Sequence, residues 1–196
     1  MNNSRISAFS DGVIAVLITI MVLELKTPEG SSWAALWDQK FVLVSYLVSF
    51  AVLAVYWNNH HHLFQLLKTV SGRILWTNLV LLFCFSLVPF TTSWMANYPA
   101  SQAPELLFGL TILVSDMVYT LLGFEIYKQQ DFVASYWRSI WFKKAVASGI
   151  TAVLGLALAL ILKLPFIVMI SVVTTLIPWI IPDSEIEKNV RADKTE

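Results

Sequence analysis

Long apolar runs alternate with short polar stretches along the chain. A helix needs roughly 20 apolar residues to cross a bilayer. On that measure the pattern predicts six spans, over about 6–26, 41–67, 73–96, 104–127, 137–162 and 165–182. A loop over 27–40 holds Pro28, Gly30, Trp33 and Trp37. Its tryptophans suit the membrane interface, where a short amphipathic turn fits. Pro89 falls late in the third span, Pro104 and Glu105 open the fourth, and Pro165 opens the sixth, which closes with Pro178 and Pro182. The expected fold is an all-α membrane protein: one six-helix domain over 1–182, without an internal repeat, and a short charged tail over 183–196.

Composition supports this. The chain has 196 residues, of which 57% are hydrophobic and 13% charged, about half the charged share of soluble domains. The first run is too long for a signal peptide and lacks a small-residue cleavage site, so it is expected to remain as a helix. Net charge is zero, which gives no electrostatic case for a nucleic-acid partner. The single cysteine, Cys84, lies in an apolar run and reads as a packed side chain. With the N-terminus inside, the inner segments hold Arg5, Lys68, Arg73, Lys128, Arg138, Lys143, Lys144, Lys188, Arg191 and Lys194; the outer ones hold Lys26, Lys40 and Lys163. This excess places both termini in the cytoplasm.

Few residues could carry chemistry. On the first helix Val16, Thr19, Ile20 and Leu23 share a face that Phe9 and Gly12 continue. That face is aliphatic with one hydroxyl and suits either helix packing or, in several copies, a narrow pore. Arg5, Ser10 and Asp11 form a polar cluster at its entrance, readable as helix capping or as a buried polar network. The second helix ends in Trp57-Asn58-Asn59-His60-His61-His62. Successive helical residues point about 100° apart, so these histidines do not read as a metal site. They suit hydrogen bonding across helices or titration near neutrality. Asn78 and the Pro89 kink read as interhelical contacts. Asp116 lies near mid-membrane, where an acid is a functional candidate, and Glu125 is placed at the inner interface. Ala147, Gly149, Ala152, Gly155 and Ala159 give the fifth helix small-residue faces. No paired-carboxylate, Ser/His/Asp or metal constellation is present, so no enzyme activity and no cofactor are expected.

The motif Arg5-x-x-x-Phe9-Ser10-Asp11 resembles the first helix of the transmembrane protein 175 family. The Trp57, His60, His61, Leu63-Phe64 pattern and the Trp76-x-Asn78 and Leu87-x-Pro89-Phe90 patterns are similar to that family's second and third helices. The resemblance implies a potassium-selective channel without a TVGYG filter. It also implies a homotetramer whose pore is lined by four first helices, with Val16, Ile20 and Leu23 at the constriction and Thr19 facing the ion. Phe9, Ser10, Asp11, Trp57 and Asn78 would belong to the structural network, with Arg5, Asp11 and one of His60 or His61 locking the first two helices. Permeant K+ is then cargo, the lipid bilayer and monovalent cations are the partners, and the bacterial plasma membrane is the expected location. The alternative is a proton-coupled transporter or proton pathway using Asp116 and the His60–His62 cluster.

Overall fold

The computed structural model describes residues 3–67, 69–130 and 137–180. Among these described residues eight helices follow one another: α1 (Asn3–Leu23), α2 (Trp33–Asp38), α3 (Lys40–Gln65), α4 (Gly72–Ser86), α5 (Val88–Asn97), α6 (Gln102–Gln129), α7 (Ile140–Leu162) and α8 (Ile167–Ile180). Four single helices (α1, α3, α6 and α7) and the α4–α5 rod are long and apolar enough to cross a membrane. The sixth run appears as α8, whose 14 residues rise only about 21 Å. The run's first residues are taken up by a turn in which Lys163 (φ 52°) and Phe166 (φ 69°) are left-handed. Residues 181–182 and the tail over 183–196 lie outside the described residues, as do four of the cations used to orient the chain: Lys68, Lys188, Arg191 and Lys194.

Successive long helices run antiparallel, as bonds at the two ends of the bundle show. At one end Asn3 Nδ2 donates to the carbonyls of Phe64 (2.7 Å) and Leu67 (3.1 Å), and Gln129 Nε2 donates to that of Thr69 (2.7 Å). At the other end Ser93 Oγ donates to Glu24 Oε2 (3.0 Å) and Gln102 Nε2 to the Ala159 carbonyl (2.8 Å). The loop after α1 forms the expected surface turn. In it α2, capped by Ser32 Oγ accepting from Ala35 N at 3.2 Å, buries no residue and leaves Trp33 and Trp37 exposed.

The third span breaks at Leu87, two residues before Pro89. Pro89 lacks an N–H, and the Leu87 N–H turns back onto Cys84 and Phe85 carbonyls. Thr91 and Thr92 hydroxyls return to the Leu87 and Val88 carbonyls. The core lies where α6 meets α4, α5, α7 and α8, and α1 packs on α3, α4 and α5. Along the α7–α8 seam a Cβ on Gly155 would lie 2.1 Å from Ser171 Oγ, so only glycine permits this approach. Ala152 and Ala159 are buried in line with it, whereas Ala147 is exposed.

Candidate functional site

The two sides of α1 differ in what covers them. Ile6, Ser10, Ile14, Leu17 and Met21 are buried, a spacing of three and four residues that faces the bundle. Phe9, Gly12, Val16, Thr19, Ile20 and Leu23 are all exposed, Val16 at 54% and Leu23 at 80%, and nothing lies within 4 Å of where a Gly12 Cβ would be. The face singled out in the sequence is therefore free in one chain. The Thr19 hydroxyl donates to the Val16 carbonyl at 2.8 Å, which leaves its oxygen lone pairs directed away from the helix backbone.

A three-helix clamp fixes the first half of α1. Ser10 Oγ donates to the Ile6 carbonyl (2.9 Å) and accepts from Asn78 Nδ2 (2.9 Å). Asn78 Oδ1 lies 2.8 Å from His60 Nε2. Since the Ser10 proton is committed to Ile6, the amide must present its N–H₂ to Ser10 and its oxygen to the histidine. His60 is thus assigned the tautomer with the proton on Nε2. All three side chains are buried, and His60 stacks on Phe64 at 4.1 Å. Beside this clamp, Trp57 Nε1 donates to Asp11 Oδ1 at 2.8 Å.

The structure brings together Ser10, His60 and Asn78 in one group and Asp11 and Trp57 in another. Arg5 is exposed and among the described residues makes no ion pair with Asp11. Neither Ser10 nor Asp11 caps the helix, because α1 begins at Asn3 and both lie about two turns inside it. The three histidines diverge as helical geometry requires: His60 is buried, His61 is exposed against Trp57 and Gln65, and His62 is half-buried. Among the described residues no group of three or more His, Cys, Asp or Glu could hold a metal ion.

A second polar cluster lies between α3 and α6. The Tyr56 hydroxyl donates to Asp116 Oδ1. Tyr56 is missed in the sequence, where a tyrosine inside an apolar run reads as core. The available signal is its spacing of three and four residues from Asn59 and His60, both polar and both buried. Glu105 also proves more than a helix opener: it is 4% exposed, and its Oε1 accepts from Val168 N at 2.9 Å, satisfying an otherwise orphan donor in the first turn of α8.

Comparison with known proteins matches this arrangement to one family. The family described as endosomal/lysosomal potassium channel TMEM175 matches residues 5–89. A protein from Chryseobacterium sp. named as a potassium channel is 42% identical over 192 residues, 97% of this chain and 99% of its own. A zebrafish (Danio rerio) protein named endosomal/lysosomal proton channel TMEM175 is 28% identical over 128 residues, 62% of this chain but 24% of that longer one. The crystal structure of a lysosomal potassium-selective channel TMEM175 homolog from Chamaesiphon minutus shares the fold, with a TM-score of 0.66 and 23% identity, over 90% of this chain and 97% of that one. This chain, an all-helical integral membrane protein, belongs to the TMEM175 family of channels.

Proposed function

We propose that this protein conducts potassium passively across the bacterial plasma membrane, through a pore lined by the exposed face of α1 in a homotetramer with both termini cytoplasmic. The observation that carries this reading is that face itself. Phe9, Gly12, Val16, Thr19, Ile20 and Leu23 are uncovered along the whole helix, while the opposite side is packed and bonded to α3 and α4. The name of the bacterial relative supports potassium as the cargo. Four copies of Val16, Ile20 and Leu23 make a narrow aliphatic constriction, which conducts only while it is wetted. Thr19 adds the polar element. Its proton is tied to Val16, so its oxygen meets a cation as an acceptor and replaces part of the ion's water. With no ring of backbone carbonyls in this scheme, discrimination between potassium and sodium is incomplete.

The test is potassium flux into liposomes holding the purified protein, wild type beside Leu23→Ala and Thr19→Ala. Leu23→Ala is expected to raise the rate several-fold, and Thr19→Ala to lower the preference for potassium over sodium. Absence of flux, or flux indifferent to both changes, overturns the reading.

Protons are the other cargo to measure, since the zebrafish relative is named a proton channel. A relay through Asp116 and the histidines needs an unbroken chain of hydrogen bonds. Among the described residues none joins the Tyr56–Asp116 pair to the His60–Asn78 pair. Proton flux is therefore expected to follow the α1 face and to be unaffected by Asp116→Asn.

A further inference from the structure

Asp116 stands halfway along α6, as far from either end as that helix allows. Tyr56 serves one carboxyl oxygen. The other, Oδ2, is buried without a hydrogen-bond partner among the described residues. A small cavity adjoins it, of about 20 Å³, lined by side chains of four helices that include Tyr56 and Asn59 (α3), Asp116 and Tyr119 (α6), Ser148 (α7) and Trp179 (α8). One water needs roughly 10–15 Å³ and two to four polar partners, so size and lining both admit one.

The remaining lining groups decide what that water can do. Ser148 Oγ has spent its proton: it accepts from Trp179 Nε1 (2.8 Å) and donates to the Thr175 carbonyl (3.4 Å). Asn59 Nδ2 is spent on the Val55 (2.8 Å) and Trp179 (3.0 Å) carbonyls. What is left around the cavity is mainly acceptors, Asp116 Oδ2 and Asn59 Oδ1, together with the Tyr119 hydroxyl. A water there can donate twice, and it can accept from the Tyr119 O–H or from a protonated Asp116.

Charge supplies the second constraint. The ionisable groups facing Asp116 are Tyr56 from α3 and Tyr119 from α6, with Cys84 of α4 beyond Tyr56. On α7, Lys144 Nζ is held over the Trp179 ring at 5.8 Å and does not line the cavity. His60, one turn along α3, is occupied by Asn78. The residues of α8 that line the cavity, Thr175, Leu176 and Trp179, are not ionisable. An aspartate anion at this depth would have one hydroxyl donor on Oδ1 and no neighbouring cation, and a charge so placed inside a membrane is costly. A proton on Oδ2 removes the charge and gives that oxygen a hydrogen bond to make.

We propose that this cavity is a proton-binding site, with Asp116 holding the proton on Oδ2 and donating it to one enclosed water, which donates onward to Asn59 Oδ1 and the Tyr119 hydroxyl. The site is separate from the α1 face, and the proposal stands whether or not that face conducts.

Infrared spectroscopy of the full chain in lipid at neutral pH tests it. Wild type is expected to show a carboxylic-acid C=O stretch that shifts in D₂O, is lost in Asp116→Asn and is kept in Glu105→Gln, the control for the other buried acid. In Tyr56→Phe, which leaves the acid in place, the band is expected to persist and move to higher frequency. Absence of the band in wild type, its survival in Asp116→Asn or its indifference to Tyr56→Phe overturns the proposal. A band that appears only when sodium and potassium are replaced by a large organic cation also overturns it, by showing that the cavity holds a metal cation instead. Size-exclusion profiles accompany each variant. Should Asp116→Asn fail to fold, the Tyr56→Phe shift and the cation exchange still decide.

Discussion

The His60 clamp and the Asp116 site hang from neighbouring turns of the same helix, α3, and both bury polar groups inside the bundle. In the clamp the Ser10 hydroxyl, the Asn78 amide and His60 Nε2 are matched to one another. Asn78 uses both ends of its amide, and Ser10 both gives and accepts a proton. At Asp116 one carboxyl oxygen is matched and the other is left to the cavity. A saturated network has a single geometry and fixes how α1, α3 and α4 sit together. An unsaturated one needs something small and exchangeable to complete it. The contrast separates scaffold from binding site more sharply than residue type does, since histidine is the residue usually read as the switch.

The largest expected effect that would break or sharpen this contrast is at Asn78. Asn78→Leu keeps the volume but orphans the His60 N–H and strips Ser10 of its donor. Buried groups left unpaired cost about 1–3 kcal/mol each, while hydrogen bonds measured within membranes average nearer 0.6 kcal/mol. A loss of about 2–4 kcal/mol is expected, read as a lower melting temperature in detergent. An unchanged melting temperature would remove the clamp from the scaffold. Ser10→Ala comes next, at about 1–2 kcal/mol, because it leaves only the Asn78 N–H₂ unmatched. Tyr56→Phe should cost least, under about 1 kcal/mol, since it removes one hydrogen bond beside a cavity with room for a water to take the place of the phenol. If thermal melting ranked Tyr56→Phe beside Asn78→Leu, the two sites would be equally rigid and the distinction would fail.

The long helices were legible in the sequence because a bilayer sets their length. Their burial was much less so. In a membrane the side facing lipid and the side facing protein are both apolar, so Leu17 (7% exposed) and Leu23 (80%) are chemically the same letter. Polar residues escaped this degeneracy. Ser10, His60 and Asn78 stood out, and the structure places them together. Arg5 and Asp11 also stood out, yet Asp11 takes its hydrogen bond from Trp57, because an indole N–H near an interface serves a carboxylate as well as a guanidinium does. Tyr56 stayed hidden because its ring is apolar and only its tip is not. The sequence pattern starts the sixth helix early because the left-handed backbone at Lys163 and Phe166 has no glycine to announce it. The Phe166 ring lies stacked against Phe41 at 5.3 Å, a long-range contact that local sequence does not reveal.

The break at Leu87 gives α1 two unequal supports. Its first half is bonded to α4 through Ser10 and Asn78, below the break, and its far end meets α5 through the Glu24–Ser93 bond, above it. Mechanically α1 is a beam anchored at one end and resting on a separate segment at the other. Any bend at Leu87 would swing the Thr19–Leu23 end while Phe9 and Gly12 stayed in place, so the width of an opening lined by this helix would change at one mouth before the other.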